Sequence, residues 1–203
     1  MYDGFKTFFD YVGIFFIIYM MGYASFLFLT VTVGSSTLYQ IKRRNMLKSE
    51  LRQDYYVPVS ILVPAYNEEV TIVDTVRSLL GLEYKLYEII VVDDGSQDNT
   101  AQALMDYFHL RHVTRPIHRR IPCKQEEAVY ESRAHKAPIT LIRKANGGKS
   151  DALNMGINAA RYPYFVCMDA DSVLQYDSLS KIVRPVIEEA DVVAVGGAVR
   201  PCN

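Results

Sequence analysis

The stretch LYEIIVVDDGSQDNT, residues 86–100, joins an unbroken apolar run to an abrupt polar turn. The run Leu86–Val92 is continuous rather than alternating, which predicts a strand that is buried on both faces of a sheet. The turn Asp93–Ser96 ends this strand, and a helix is predicted from about Asp98 to Phe108. A buried strand that leads through a turn into a helix indicates an α/β fold.

The same pattern continues on both sides of this stretch. Further strands are predicted at Val57–Pro64, Ile139–Arg143, Tyr164–Met168 and Asp191–Val199. Further helices are predicted at Glu69–Leu80, Lys149–Ala160 and Asp177–Glu189. Because strands and helices alternate, the sequence predicts a mostly parallel, Rossmann-like sheet with helices on both faces.

Between the second and third predicted strands lies Leu110–Pro138, which shows no clear periodicity and is predicted to be irregular. Its cations are Arg111, Arg115, Arg119, Arg120 and Lys124. The sequence favours a solvated or membrane-facing excursion, since a nearby anionic leaflet attracts Lys and Arg. The alternative is a lid over a bound diphosphate.

The N-terminal segment, residues 1–40, has a different composition. Tyr11–Gln40 contains no charged residue, and about 20 apolar residues suffice to cross a bilayer as a helix. The run is too long for a cleaved signal peptide and is preceded by Asp3 and Asp10. We therefore interpret it as a transmembrane helix over about residues 11–33, with a buried core helix as the alternative.

A basic juxtamembrane linker is predicted at residues 41–56, where Lys42, Arg43 and Arg44 follow the apolar run. By the positive-inside rule, these cations place the remaining domain, residues 57–203, on the cytoplasmic side of the cell membrane. The whole chain has 22 Lys and Arg against 23 Asp and Glu, a net charge of −1. This balance excludes a nucleic-acid partner that is bound through bulk positive charge.

Polar motifs follow the first four predicted strands. They are Tyr66–Glu69, Asp93–Asp94, Gly147–Lys149 and Asp169–Asp171. Ligands of an open parallel sheet bind at the carboxyl ends of its strands, so we expect these motifs to meet at one rim. Each motif alone is an ordinary turn or helix start, but their convergence at one rim predicts a binding site.

The residue types at this rim suit a nucleoside diphosphate that carries a further group. Asp169 and Asp171 offer carboxylate oxygens, the ligands that Mg²⁺ and Mn²⁺ prefer. Lys149, behind two glycines at a helix start, adds a cation and free backbone N–H groups for phosphate. Asp93 and Asp94 would accept hydrogen bonds from a nucleobase or from ribose hydroxyls.

The same residues disfavour two common nucleotide folds. Gly148-Lys149-Ser150 is similar to the end of a P-loop, but Arg143 stands where that loop requires its first glycine. The first predicted strand is followed by Ala65–Glu68 and not by Gly-x-Gly-x-x-Gly, which disfavours a dinucleotide-binding dehydrogenase.

Four segments carry a resemblance to a known family: VSILVPAYNEE (59–69), VVDDGSQDNT (91–100), NGGKSDALNMGIN (146–158) and FVCMDADS (165–172). In this order and spacing they resemble the motifs of family 2 glycosyltransferases, most closely the processive, membrane-anchored branch of hyaluronan, chitin, cellulose and poly-N-acetylglucosamine synthases. The resemblance implies a GT-A fold, a UDP-sugar donor, Mg²⁺ or Mn²⁺, and inversion at the anomeric carbon. The implied reaction transfers a hexose, N-acetylglucosamine or a related sugar, to a growing polysaccharide or a lipid acceptor.

The resemblance also implies roles for individual residues. The nucleotide-sugar-binding residues that it implies are Ala65, Tyr66, Glu68, Asp93, Asp94, Lys149 and Asp169. The first three would line the nucleoside pocket, and one of the two neighbouring aspartates would contact the uracil. Asp171 would hold the metal, with Asp169 beside it at the ribose or the diphosphate.

Members of this family continue beyond a strand like Val192–Val199 into an acceptor-binding half, with the general base and, in processive members, a Gln-x-x-Arg-Trp motif. The sequence contains no tryptophan, so we expect a GT-A domain that is incomplete at its C-terminus, with the general base beyond Asn203. Such a chain would bind donor without transferring sugar, and Val192, Val193 and Val195 would be partly exposed. Two alternatives stay open: a non-processive polyprenyl-phosphate or glycolipid transferase, and a non-catalytic UDP-sugar-binding membrane module.

Overall fold

The computed structural model describes residues 2–51, 56–189 and 191–197. The chain divides into two compact units, Met1–Tyr55 and Tyr56–Asn203. In the first unit the described residues form one helix, α1, Tyr2–Leu51. The second unit is an α/β domain.

Helix α1 contains the apolar run that the sequence predicts to span a membrane. Tyr11–Gln40 has a mean hydropathy of 2.1, and none of its apolar window is buried, so the helix is long and apolar enough to cross a membrane. Hydroxyl groups in this run donate to carbonyls of the preceding turn, for example Thr32 Oγ1 to Phe28 O at 2.7 Å. Such bonds satisfy the hydroxyls where water is absent. Residues 41–51 of the predicted linker are also helical, and 52–55 lie outside the described residues.

The second unit contains the first four predicted strands and their helices in the predicted order, with two additional strands within Leu110–Pro138. The strands are β1 Val59–Ala65, β2 Tyr87–Asp93, β3 Arg111–His112, β4 Glu126–Ser132, β5 Ile139–Lys144 and β6 Tyr164–Cys167. The helices are α2 Ile72–Leu80, α3 Thr100–Phe108, α4 Lys149–Ala159 and α5 Ser178–Glu188. The sheet order is β3-β4-β5-β2-β1-β6, and β5, β2, β1 and β6 run parallel. This confirms the predicted mostly parallel, Rossmann-like sheet.

Both faces of the sheet are covered, which explains why its strands are apolar without alternation. In β1, Ile61 and Val63 pack into one buried cluster, whereas Leu62 packs into another with Met155 of α4. Truncating a buried leucine of this kind to alanine costs about 2–5 kcal/mol. The central strands therefore form a stable frame for the loops at their ends.

The stretch Leu110–Pro138 is more ordered than the sequence predicts. It contains β3 and β4, and β4 pairs antiparallel with β5. The alternation in β4 is weak because this strand lies near the sheet edge and fully buries only Val129 and Ser132. Its acidic residues form ion pairs instead, such as Glu126 with Arg119 at 2.6 Å. Because β4 lies near the sheet edge and carries charged residues, the sequence does not show the apolar alternation by which a strand is recognised.

The last predicted strand, Asp191–Val199, is wrong for the described residues. Residues 191–197 form no strand, and 198–199 lie outside the described residues. Val192 and Val195 are half-buried and Val193 is fully exposed, which confirms their predicted exposure. These valines line an apolar groove beside β6. Apolar residues indicate a buried face, but a strand also requires a hydrogen-bonding partner strand.

Candidate functional site

A cavity of about 270 Å³ lies at the carboxyl ends of β1 and β6 and at the start of α4. Its lining residues are Pro64, Ala65, Tyr66, Glu68, Asp94, Lys149, Ala152, Asp169, Ala170 and Asp171. Every residue predicted for the site is in this lining except Asp93. The polar motifs converge because the strands that precede them are neighbours in a parallel sheet.

The loops after β1 and β2 are joined by reciprocal hydrogen bonds. The Asn67 N–H donates to Ser96 Oγ at 3.0 Å, and Asn67 Oδ1 accepts from the Gln97 N–H at 2.8 Å. The Glu69 N–H donates to Asp98 Oδ2 at 3.1 Å. Asn67 has a φ of 57°, a left-handed conformation that asparagine tolerates. These bonds fix one wall of the cavity, and they place Asp98 at the loop junction and not on the predicted helix.

Three predicted residues of the first loop lie in that wall. Ala65 is buried, and its carbonyl accepts from the Asp94 N–H at 2.9 Å. The Glu68 N–H donates to Thr100 Oγ1 at 2.8 Å. Tyr66 is 46% exposed, so its ring can contact a ligand in the cavity.

The loop after β6 presents both of its aspartates to the cavity. Ala170 between them is buried, and its carbonyl accepts from Thr75 Oγ1 of α2 at 2.5 Å. This anchor leaves Asp169 and Asp171 exposed in the cavity lining. The segment is a turn, in which the Ser172 N–H donates to the Asp169 carbonyl at 3.1 Å.

The two carboxylates have the chemistry of a site for Mg²⁺ or Mn²⁺. In proteins Mg²⁺ commonly takes one or two carboxylates and completes its shell with substrate phosphates and water. Among the described residues, no group of three or more His, Cys, Asp or Glu side chains is placed to hold a metal ion. Asp169 and Asp171 together would supply at most two carboxylates to such a cation.

Lys149 faces the same part of the cavity. Its Nζ atom lies 2.5 Å from Asp169 Oδ1, and the two side chains are 63% and 54% exposed. An exposed ion pair of this kind contributes about 0–1 kcal/mol. An incoming phosphate could therefore replace Asp169 as the partner of Lys149 at small cost.

The glycine turn before Lys149 is held by hydrogen bonds to Asp94. The N–H groups of Gly147 and Gly148 are not free for phosphate, because both donate to the Asp94 carboxylate, at 3.0 Å and 2.7 Å. The same carboxylate accepts from the ammonium of Lys144, whose side chain is fully buried. The sequence does not predict that Lys144 is buried, because lysine is almost never fully buried unless it is paired.

Asp93 lies outside the cavity lining. Its side chain is 2% exposed, and its Oδ1 accepts from the Ser96 N–H at 3.0 Å. Its Oδ2 lies 3.5 Å from Nε of Arg143 on the neighbouring strand. The carboxylate thus stabilises the turn after β2.

The position of Arg115 does not favour the lid alternative for the basic stretch. Residues 113–125 run along α4, from Arg115, which donates to the Ala159 carbonyl at 2.5 Å, to Lys124, whose N–H donates to Asp151 at 3.1 Å. Arg115 also pairs with Glu131 at 3.1 Å, and is therefore held at the end of α4 remote from the cavity. The membrane-facing role stays a prediction.

Comparisons with known proteins agree on one family. The model of glycosyl transferase family 2 matches residues 60–122 and 123–203. The chain is 29% identical over 188 residues to a poly-beta-1,6-N-acetyl-D-glucosamine synthase of Staphylococcus aureus, and 32% identical over 190 residues to one of Staphylococcus epidermidis. Each alignment covers 91% of this chain and 40% of the relative. The chain thus spans about two fifths of the length of these curated relatives.

A solved structure supports the fold. The mannosyltransferase PcManGT from Pyrobaculum calidifontis, in complex with GDP-Man and Mn²⁺, matches with a TM-score of 0.50 and 24% identity. The match covers 64% of this chain and 32% of that protein. It shows that the matched part of this chain shares its fold with a part of that protein.

Proposed function

The chain belongs to glycosyl transferase family 2, and from this premise we propose that its second unit binds the donor of a membrane-anchored, inverting glycosyltransferase. The donor is a UDP-sugar, and the transferred group is a hexose, N-acetylglucosamine or a related sugar. The observation that carries the proposal is the single cavity lined by residues of all four polar motifs. Such a cavity at the carboxyl ends of parallel strands is the expected place for a nucleotide.

In the proposed complex, the nucleoside lies against the wall made by Ala65, Tyr66 and Glu68. The exposed ring of Tyr66 offers an aromatic face on which a base can stack, and the Glu68 carboxylate offers acceptors. The diphosphate lies towards Lys149, whose ammonium is in the cavity lining. The contact of Asp93 or Asp94 with the uracil stays a prediction. Both carboxylates already accept hydrogen bonds from backbone N–H groups of the protein.

The proposal includes Mg²⁺ or Mn²⁺, held by Asp171 with Asp169 beside it. When bound, the cation would neutralise the charge of the diphosphate and stabilise UDP as a leaving group. The chain's own residues position the nucleotide: the bond from Thr75 to the Ala170 carbonyl keeps both carboxylates facing the cavity. Lys149 supplies the fixed positive charge at the same place.

The acceptor and the membrane orientation are proposals of the same kind. The relatives named above are synthases of a polysaccharide, and α1 is long and apolar enough to anchor the enzyme. We infer that the acceptor is a growing polysaccharide and that the donor site faces the cytoplasm. Membrane lipid is then the environment of Tyr11–Gln40.

The donor proposal is tested by titrating the detergent-solubilised chain with UDP, GDP and ADP in the presence of Mn²⁺. We expect UDP to bind more tightly than the purine nucleotides, and Tyr66→Ala to weaken UDP binding by about tenfold through the loss of stacking. Tyr107→Ala, which removes an exposed tyrosine of α3 outside the cavity, is the matched control. Equal affinity for all three nucleotides, or no effect of Tyr66→Ala, contradicts the proposal.

A further inference from the structure

Two side chains of the loop after β2, Asp98 and Thr100, hold the backbone of the loop after β1. The Thr100 hydroxyl accepts from the Glu68 N–H at 2.8 Å, and the Asp98 carboxylate accepts from the Glu69 N–H. Glu69 Oε2 in turn accepts from the Asn99 N–H at 3.0 Å. Two successive N–H groups of the first loop are therefore fixed by the second loop. Neither Asp98 nor Thr100 lines the cavity.

The Thr100 hydroxyl is oriented by Asp98. A hydroxyl has one proton to donate, and this proton goes to Asp98 Oδ1. The hydroxyl oxygen then accepts from the Glu68 N–H, which can only donate. Thr100 is fully buried, so water does not replace either partner.

Asp98 acts only as an acceptor in these contacts. Its Oδ1 accepts from the Thr100 N–H at 3.0 Å as well as from the hydroxyl, and its Oδ2 accepts from the Glu69 N–H at 3.1 Å. Burial alone would raise the pKa of Asp98, but the hydrogen bonds from Thr100 and Glu69 outweigh it and lower the pKa. The side chain is therefore a carboxylate at neutral pH. An amide at this position would turn its NH₂ group towards one of these donors.

These hydrogen bonds converge on Glu68, which lines the cavity. Its N–H is held by Thr100, and its carbonyl accepts from the Ile72 N–H at 3.0 Å at the start of α2. Its carboxylate accepts from the Thr71 hydroxyl at 2.7 Å through Oε2. Among the residues that the structure describes, no donor forms a hydrogen bond with Oε1, so this oxygen is left for a ligand.

We propose that Asp98 and Thr100 form a latch that positions the Glu68 carboxylate for the nucleoside of the donor. This inference rests on the proposed function. Asp98 and Thr100 are positioning residues in it, because they lie outside the cavity lining and act through Glu68. The latch acts on the nucleoside side of the donor, whereas Lys149 is assigned to the phosphate side. Loss of the latch should therefore weaken every ligand that contains the nucleoside by the same factor.

Four variants follow from this role. Thr100→Val keeps the shape of the side chain but leaves the Glu68 N–H without an acceptor, so the affinities for UDP and for uridine should both fall by about tenfold. Thr100→Ser keeps the hydroxyl and should stay within about twofold of the wild type for both ligands. Asp98→Asn should behave like Thr100→Val, since its NH₂ group must face a donor. Combining Thr100→Val with Glu68→Ala should cost little more than Glu68→Ala alone, because both act through one contact.

The experiment measures UDP and uridine binding by NMR or calorimetry for these variants of the full chain, with Mn²⁺ present. Asp98→Asn carries the same comparison if Thr100→Val does not fold. Asp106→Asn makes the same change of charge on an exposed residue of α3 and is the control, which should leave both affinities unchanged. A loss confined to UDP would overturn the proposal, because it would place the latch on the phosphate side. Unchanged affinities in Thr100→Val and Asp98→Asn, a tenfold loss in Thr100→Ser, or an additive loss in the double variant would overturn it as well.

A second measurement needs no ligand and separates the latch from the donor proposal. Hydrogen exchange of a peptide covering residues 66–71 should be at least about tenfold faster in Thr100→Val than in Thr100→Ser, while peptides from β5 and α4 keep their protection. Equal exchange at 66–71 in the two variants would refute the latch. If the wild-type chain binds neither UDP nor uridine, the donor proposal fails, and exchange alone decides whether the latch holds the loop.

Discussion

The ammonium of Lys149 lies 2.5 Å from the carboxylate of Asp169, although the two residues come from different parts of the fold. Lys149 is the first residue of α4, which follows β5, whereas Asp169 follows β6. In the sheet, β2 and β1 lie between β5 and β6. Both side chains are more than half exposed, so the pair can open without a large cost. The cavity thus contains a lysine ammonium whose ion pair with Asp169 is weak.

Lys149→Met should weaken UDP binding by about tenfold and UMP binding less, because the loss of one positive charge matters more for the ligand that carries more negative charge. The measurement is calorimetric titration of both nucleotides with Mn²⁺ present. Lys181→Met is the matched control, since Lys181 also forms an exposed pair, with Asp177 at 2.6 Å, but does not line the cavity. An equal loss in both variants would mean that general charge, and not this position, attracts UDP.

Binding of UDP should require a divalent cation, and Asp171→Ala should lower the affinity measured with Mn²⁺ by about tenfold or more. The affinity that remains in EDTA should be the same for the wild type and the variant. The control is Asp106→Ala, which removes an exposed carboxylate of α3 that accepts from Gln102. Asp98→Ala is unsuitable as a control because Asp98 joins the two rim loops. Equal UDP affinity with and without EDTA would remove the metal role from Asp171.

The basic stretch should contribute to stability and not to donor binding. Arg115→Met loses a partly buried ion pair with Glu131 and a hydrogen bond to Ala159, and should lower the free energy of unfolding by about 1–3 kcal/mol. UDP affinity of the folded protein should stay within about twofold, as judged by titration well below the melting temperature. A loss of UDP affinity without a loss of stability would restore the lid interpretation.

Stability should depend on pH through Asp151. The hydrogen bond from the Lys144 ammonium lowers the pKa of Asp151 below its ordinary value of 3.8. The stabilisation is therefore complete above pH 3.8 and is lost as the pH falls through the lower, folded-state pKa. In urea unfolding between pH 7 and pH 2.5, Asp151→Asn should be less stable than the wild type at neutral pH, and this difference should shrink in acid. Asp106→Asn should show no such convergence.

The membrane orientation can be tested with two reporters fused after Asn203. A fluorescent protein should be active there and a periplasmic phosphatase inactive, because the cations at 42–44 favour a cytoplasmic location for the second unit. Replacing Lys42, Arg43 and Arg44 by glutamine is the informative variant, since it should reduce the preference for one orientation. Phosphatase activity in the unmodified fusion would show that the orientation is reversed.

The sequence by itself determined the central architecture and the members of the cavity. The continuous apolar runs of β1 and β2 require burial on both faces, and the residues at strand ends then must meet at one rim. For this reason Tyr66, Lys149 and Asp171 could be assigned to a common site before their positions were known. The uncharged run Tyr11–Gln40 also predicted the apolar part of α1. Its length and composition are sufficient for this prediction, because they do not depend on contacts with other segments.

Only the tertiary structure decided which polar groups line the cavity and which form hydrogen bonds within the protein. Asp93 and Asp94 are adjacent and chemically identical, but strand pairing gives Asp93 an arginine neighbour and places Asp94 against a buried lysine and a glycine turn. Likewise, the presence of β4 and the absence of a strand at the described residues 191–197 depend on which strand edges are available for pairing. Local sequence encodes polarity and periodicity, whereas hydrogen-bond partners across the sheet are set by contacts between residues that lie far apart in the chain.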